Sequence, residues 1–404
     1  MTDTITPLFN PYEPGFFDDP YPQYKLLRDR DPIHEHPMGF WFLSRYEDVS
    51  ALLRAGLSVE DRHLAGGAVQ EQSQVFEAAE GMILNQSMLD RDPPDHTRLR
   101  GLVQKVFTRR AIAALEPEIV SLVDSSLDAM AEAGTVDLVE ALAFPLPFAV
   151  ISQMLGLPRT DSARVRELSG TLVRSLELVP DEETMTAIIN ASIELSGITR
   201  ELIDWKRSNP GDDLMTALIA AEHEGGVLSD DELVSQVVLL YVAGHETTVN
   251  LIANGVVALL RNPSQYELLH AQPDLAPNAV EEFMRYDSPV QQTRRITLAP
   301  HVVGDKEIPP GAFVLACLGS ANRDERFFGP DADQLRIDRP EARHQASFGA
   351  GPHHCLGAAL ARLEGRIAFE RLVQRFPGLT LAGDVEWNGR VNLRGPAKLP
   401  VAVK

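Results

Sequence analysis

Residues 348–357 read Phe348-Gly349-Ala350-Gly351-Pro352-His353-His354-Cys355-Leu356-Gly357, and an amphipathic helical pattern follows over about 357–376. A cysteine at a helix start has its thiolate favoured by the positive end of the dipole and by free N–H groups. The flanking glycines let backbone approach a flat object closely. An electron-rich sulfur, held by N–H donors beneath a planar macrocycle, is what an iron–thiolate bond requires. Three other chemistries compete for these residues. Zinc could use His353, His354 and Cys355, although three consecutive residues rarely face one ion. A Cys/His hydrolase is the second, without the known protease signatures. The third is a small buried hydrophobe, which is how Cys317 reads in the apolar run FVLACL.

A second segment sets an acid among apolar residues. Residues 229–263 read SDDELVSQVVLLYVAGHETTVNLIANGVVALLRNP. Ser229 and Glu232 form a capping box, and Asn262-Pro263 ends the helix. A helix of about 32 residues spans roughly 48 Å, enough to cross a domain. Between Leu233 and Arg261 only Glu246 carries a formal charge. A helix apolar nearly all round is buried, and a lone buried carboxylate needs partners or a purpose. Gly244, Thr247 and Thr248 weaken the same turn, since Gly costs about 1 kcal/mol relative to Ala and Thr roughly half that. An acid and an alcohol at a weakened turn suit proton delivery into an apolar cavity. The competing reading is a surface turn with Glu246 exposed and the threonines as filler.

The elements that must position these groups are mainly helical. Residues 11–60 read as a Pro-rich entry, a short helix near Tyr21–Arg30, strand-like text (GFWFLSRY) and a further helix. Residues 61–90 look like a long loop with a short helix, a form common in binding lids. Helical spacing dominates 97–260. After Pro289 the text turns to short β segments broken by Gly and Pro, then a loop over 320–354, the last helix, and a few short strands. No repeat and no long linker divides the chain, so one large folding unit, mainly α with a minor β region, is expected over 1–404.

Composition bounds the function. The 404 residues hold 58 Asp+Glu against 37 Lys+Arg, a formal charge of -21, which argues against non-specific binding to nucleic acid or anionic lipid. An apolar fraction of 44% excludes a disordered chain. Two cysteines exclude a disulfide scaffold and a CxxC-type zinc site. The N-terminal text has neither a basic nor an apolar signal region, and no run of about 18 apolar residues appears, so a cytoplasmic protein without a membrane span is expected.

Taken together these residues resemble the cytochromes P-450, the haem-thiolate monooxygenases. FGAGPHHCLG fits the family pattern F-x-x-G-x-H-x-C-x-G, and AGHETT fits the oxygen-activating helix. EEFMR carries E-x-x-R as Glu282 and Arg285, and DPPDHTRLR carries H-x-x-x-R as His96 and Arg100. ANRDERFFGPDAD and LRGPAKLPV resemble the stretch before the cysteine loop and the usual ending. The resemblance implies Cys355 as proximal iron ligand. It places His96, Arg100, Arg295 and His353 on the haem propionates, with Arg294 as the rival to Arg295. Ala243, Gly244, Phe348, Gly349 and Gly357 border the cofactor, haem b (heme b, iron protoporphyrin IX). Glu246 and Thr247 match the acid–alcohol pair, and Glu282 and Arg285 the structural ion pair. Many relatives carry a basic residue where this chain has Ala332, so Arg339 or Arg336 is expected to complete that network.

The implied fold is that of a cytochrome P-450. The implied activity is insertion of one atom of O2 into a lipophilic organic substrate. Electrons would come from an external ferredoxin and its reductase, since no reductase domain is fused, and the protein would be a monomer. A peroxide-driven peroxygenase and a haem sensor or carrier without turnover are the rival classes. The implied cavity wall is Ile83, Leu84, Leu239, Val242, Ala243, Val290, Thr293 and Leu393. Gly66, Gly67 and Gly81 in the loop 61–90, and the segment 170–195, are candidate lids that would admit a macrolide, steroid or terpenoid of secondary metabolism. Arg98, Arg100, Lys105, Arg109 and Arg110, with Arg343 and Arg362 nearby, are the candidate ferredoxin face.

Overall fold

In a computed structural model, residues 8–79, 82–105, 107–158, 162–177, 180–223 and 228–403 are described. The longest helix, Asp230–Arg261, has 32 residues. It starts on the expected box, where Ser229 Oγ accepts the Glu232 N–H at 3.1 Å and the Glu232 carboxylate accepts the Ser229 N–H at 2.8 Å. Two apolar cores are built on this one rod. Its first half, up to Val242, packs with Ser162–Leu172, Glu182–Ser208 and Leu214–His223. Its second half, from Val249, packs with Glu116–Ala133, Ala276–Tyr286 and Ala358–Arg375. Each large aliphatic side chain so buried is worth about 1.5–3 kcal/mol. Residues 243–248, which carry the acid and the alcohol, fall at the junction between the two cores.

The β region is small. One sheet runs in the order Ile33–Glu35, Phe40–Leu43, Phe313–Cys317, Gln292–Ile296. Its middle pair is parallel and the outer pairs antiparallel. All five residues of Phe313–Cys317 are buried, as a strand covered on both faces requires. Its antiparallel partner Gln292–Ile296 sets Thr293, Arg294 and Arg295 along the edge of the central cavity. The stretch 320–354, read as a loop, holds the short helix Glu325–Phe328 and the 3-10 turns Pro340–His344 and Gly351–His353. The segment 170–195 is largely helical, through Ser162–Leu172, Val173–Leu176 and Glu182–Ser208. In 61–90 a helix, Gly67–Ala78, lies between two 3-10 turns; Gly81 is outside the described residues. Among the described residues no helix is long and apolar enough to cross a membrane.

Candidate active site

A cavity of about 660 Å³ lies between the long helix and the cysteine turn. The turn is shaped by glycine. Gly349 and Gly351 have φ of +67° and +69°, and a Cβ on Gly351 would sit 2.4 Å from the Leu53 carbonyl oxygen. Cys355 N–H donates to the Phe348 carbonyl at 2.8 Å, which closes the turn three residues before the helix Ala358–Arg375. Cys355 lines the cavity with Phe348, Gly349, His353 and Gly357. Burial pushes its thiol up, opposed by N–H groups of Gly357 and Ala358 and the charges of Arg100 and Arg362. Cys317 is enclosed in its strand, and burial pushes its thiol up to about 12.

On one side of the turn stands a group of basic side chains. His96 is 3% exposed, its Nε2 has no hydrogen-bond partner, and its ring centroid is 4.2 Å from that of His353. His96 stands behind His353 and is not itself part of the cavity wall. Burial first, then His96 and Arg295, push the His353 imidazole down to about 4. The Arg295 guanidinium is buried and, among the described residues, donates to the Arg294 carbonyl at 2.6 Å and to Thr293 Oγ1 at 3.4 Å. Arg100 donates to the His354 carbonyl at 2.6 Å. Neither Arg295 nor Arg100 forms an ion pair among the described residues. Arg294 differs: it pairs with Asp90 at 2.8 Å, and Asp90 also pairs with Arg62. A flat anion with two carboxylates and a soft metal suits this donor set of one thiol and four basic groups.

The opposite wall is the long helix, with Leu239, Val242, Ala243, Gly244, Glu246 and Thr247 on the cavity. Thr247 Oγ1 donates to the Ala243 carbonyl at 3.0 Å, a back-bond that slightly destabilises and often bends a helix. Gly244 has a packing reason, since a Cβ there would meet Ile151 at 2.9 Å. Glu246 is neither a surface residue nor alone. Its side chain is 15% exposed, Arg390 pairs with it at 3.2 Å, and His245 Nε2 lies 3.5 Å away. Burial alone would raise the carboxyl; His245 and then Arg390 outweigh it and hold the acid below the usual range.

Six of the eight residues expected at the cavity wall border it in the structure. Leu239, Val242, Ala243, Val290, Thr293 and Leu393 line the cavity, and Val290 and Leu393 form an isolated β-bridge. Ile83 does not line it: its side chain turns into the first-half core with Leu99 and Val103, and Met82, Asn85 and Met88 take the wall instead. Leu84 begins the 3-10 turn Leu84–Gln86, and its side chain is outside the described residues. Behind the turn, Arg285 donates twice to the Glu282 carboxylate, at 2.6 and 2.7 Å. Of the two alternatives for completing this network, the Arg339 side chain reaches Glu282 at 3.4 Å, whereas Arg336 gives its backbone N–H at 2.9 Å and turns its guanidinium to Asp331. No group of three or more His, Cys, Asp or Glu side chains among the described residues converges on a metal position, which leaves the zinc reading unsupported. Arg390 went unread in the sequence because nothing in its local text links it to the long helix.

The architecture and this site define a haem-dependent oxygenase. The family model for cytochrome P-450 matches residues 65–388, and this chain belongs to the cytochrome P-450 family of monooxygenases, whose cofactor is haem. It is 41% identical over 398 residues to the cytochrome P-450 monooxygenase PikC of Streptomyces venezuelae, covering 96% of this chain and 91% of that one. It is 38% identical to the vitamin D(3) 25-hydroxylase of Pseudonocardia autotrophica, covering 100% and 98%. Among solved structures, a myxobacterial cytochrome P-450 in complex with myristic acid superposes with a TM-score of 0.90 at 37% identity, covering 97% and 98%. The tirandamycin C-bound monooxygenase TamI superposes at 0.85 and 38%, covering 96% and 98%.

Proposed function

We propose that Cys355 is the iron ligand of haem b and that His96, Arg100, Arg295 and His353 take its two propionates. The observation that carries this is the basic group beside the thiol, in which neither Arg100 nor Arg295 has an ion pair among the described residues, since a buried cation without a paired anion is costly. Arg295 is the better propionate partner than Arg294, because Asp90 already occupies Arg294. Haem supplies the oxygen activation when bound. The chain supplies the rest. The N–H groups of Gly357 and Ala358 support the thiolate. Glu246 and the Thr247 hydroxyl hold and pass protons at the cavity face of the long helix. The apolar wall from Leu239 to Leu393 excludes water and orients the substrate.

The substrate is read as a bulky lipophile, multi-ring or macrocyclic, held mainly by area. Its support is the size and apolar wall of the cavity, together with the names of relatives that hydroxylate vitamin D(3) or were captured with tirandamycin C. An external ferredoxin is read as the electron donor. Lys105, Arg109 and Arg110 are exposed and without ion pairs among the described residues, whereas Arg98 pairs with Glu232 and Arg362 with Glu281. The basic face is therefore narrower than the sequence implies. A screen of steroids, macrolides and small polar acids for haem spin-state shifts tests the substrate class. Multi-ring and macrocyclic ligands should shift the spectrum and Ala243→Leu should weaken them; binding of polar acids alone would overturn the reading.

A further inference from the structure

The terminal loop 388–393 touches both the acid of the long helix and a segment that lines the cavity. Its base is closed on itself. Asn388 N–H donates to the Gly395 carbonyl at 3.0 Å, Asn388 Nδ2 to the Leu393 carbonyl at 2.8 Å, and Arg390 N–H to Asn388 Oδ1 at 3.1 Å. The Gln291 N–H is fixed to the Asn392 carbonyl at 2.8 Å, which ties the loop to the cavity edge. Gly389 turns the tip with φ of +65°.

The tip presents four donors to residues 170–177, whose Leu172, Val173, Leu176 and Glu177 line the cavity. Arg390 Nη2 donates to the Gly170 carbonyl at 2.9 Å, and Asn392 Nδ2 to the Leu176 carbonyl at 3.0 Å. The N–H groups of Val391 and Asn392 donate to the two oxygens of Glu177, at 2.9 and 3.1 Å. The other arm of the Arg390 guanidinium, Nη1, reaches Glu246 Oε2 at 3.2 Å. One rigid fork thus holds a carbonyl of the lining segment and the acid of the long helix together, a geometry that a point-charge ammonium does not reproduce.

We propose that Arg390 is a positioning residue that ties closure of residues 170–177 over the cavity to the placement of Glu246. With the segment closed, both arms of the guanidinium are engaged, and Arg390 together with His245, 3.5 Å from the carboxylate, holds the acid ionised against the helix. Withdrawal of the Gly170 carbonyl frees one arm, and Glu246 then faces a mobile cation. By linkage the tie acts both ways, so loosening the acid also loosens the segment. The proposal rests on the reading of Glu246 as the proton-handling acid, but its first test does not.

That test is stopped-flow dissociation of 4-phenylimidazole from the haem-loaded full chain, followed by the haem spectrum. Arg390→Gln should speed dissociation about tenfold, the scale of a lost hydrogen bond to a charged group. Glu246→Gln should speed it about threefold, and the double variant should be no faster than Arg390→Gln alone. Arg390→Lys should keep the pH profile of ferredoxin-driven turnover, because the charge beside Glu246 remains, yet dissociate ligand like Arg390→Gln. Unchanged dissociation in Arg390→Gln, or single effects that simply multiply in the double variant, would overturn the tie. Glu246→Gln with altered dissociation but normal coupled turnover would instead overturn the proton-handling reading and leave the tie standing.

Discussion

Two buried ionic regions flank the cysteine turn, and they differ in completeness. Behind it, Glu282 receives two bonds from Arg285, one from the Arg336 backbone and one from Arg339. Arg285 spends its other donors on the carbonyls of Asn322, Ala332 and Gln334. Beside the turn, Arg100 and Arg295 have carbonyl and hydroxyl acceptors but no ion pair among the described residues, and His96 has an orphaned Nε2. The first region is closed within the chain and belongs to folding. The second gathers four basic side chains with Asp92 as the carboxylate nearby, and it is the region proposed to take the haem propionates.

The largest effect should come from breaking the closed region. Arg285→Ala removes two of the four bonds to the buried Glu282 and the donor to three carbonyls, at a cost of about 3–5 kcal/mol, read as a lower denaturation midpoint and poor recovery of folded protein. Arg295→Gln should do the opposite kind of damage. The fold should hold within about 1 kcal/mol while haem loss to a scavenger quickens by roughly tenfold, since a charge-assisted bond is removed. Unfolding on the scale of Arg285→Ala would erase the contrast between the regions. A smaller effect is expected on the acid limb. Hydrogen bonds from Arg336 and Arg339 hold the Asp331 carboxyl down at about 2, against an ordinary 3.8. That contribution is fully present above about pH 4 and lost as pH falls towards 2, so Asp331→Asn should flatten the loss of stability in this window. The smallest effect belongs to the surface. Charge reversal at Arg109 and Arg110 should slow ferredoxin-driven turnover at low salt and leave ligand affinity intact, and turnover independent of salt would count against steering.

Local chemistry was legible in the sequence, and long-range pairing was not. The long helix reads correctly to within a residue at both ends because a capping box and an Asn-Pro stop are local signals. The parallel pairing of Phe40–Leu43 with Phe313–Cys317 is a contact between distant segments that neither pattern announces. The site divides in the same way. Glu246 and Thr247 stand out because they sit in text that costs something locally, and Cys355 because it sits among glycines at a helix start. Arg390 does not, since its value lies in touching Gly170 and Glu246 at once. Gly244 looks like a weak point in the helix, but the structure gives it a neighbour, Ile151, that leaves no room for a Cβ. Ile83 was expected at the wall, and it packs in the first-half core instead, just ahead of the 3-10 turn Leu84–Gln86.

The central claim is that the thiol of Cys355, and not that of Cys317, completes a haem site with the open basic group. The direct measurement is the absorption spectrum of the reduced carbon monoxide complex in wild type, Cys355→Ala and Cys317→Ser. The thiolate-type band should appear in wild type and in Cys317→Ser and be absent from Cys355→Ala. A thiolate band that persists in Cys355→Ala would contradict the account.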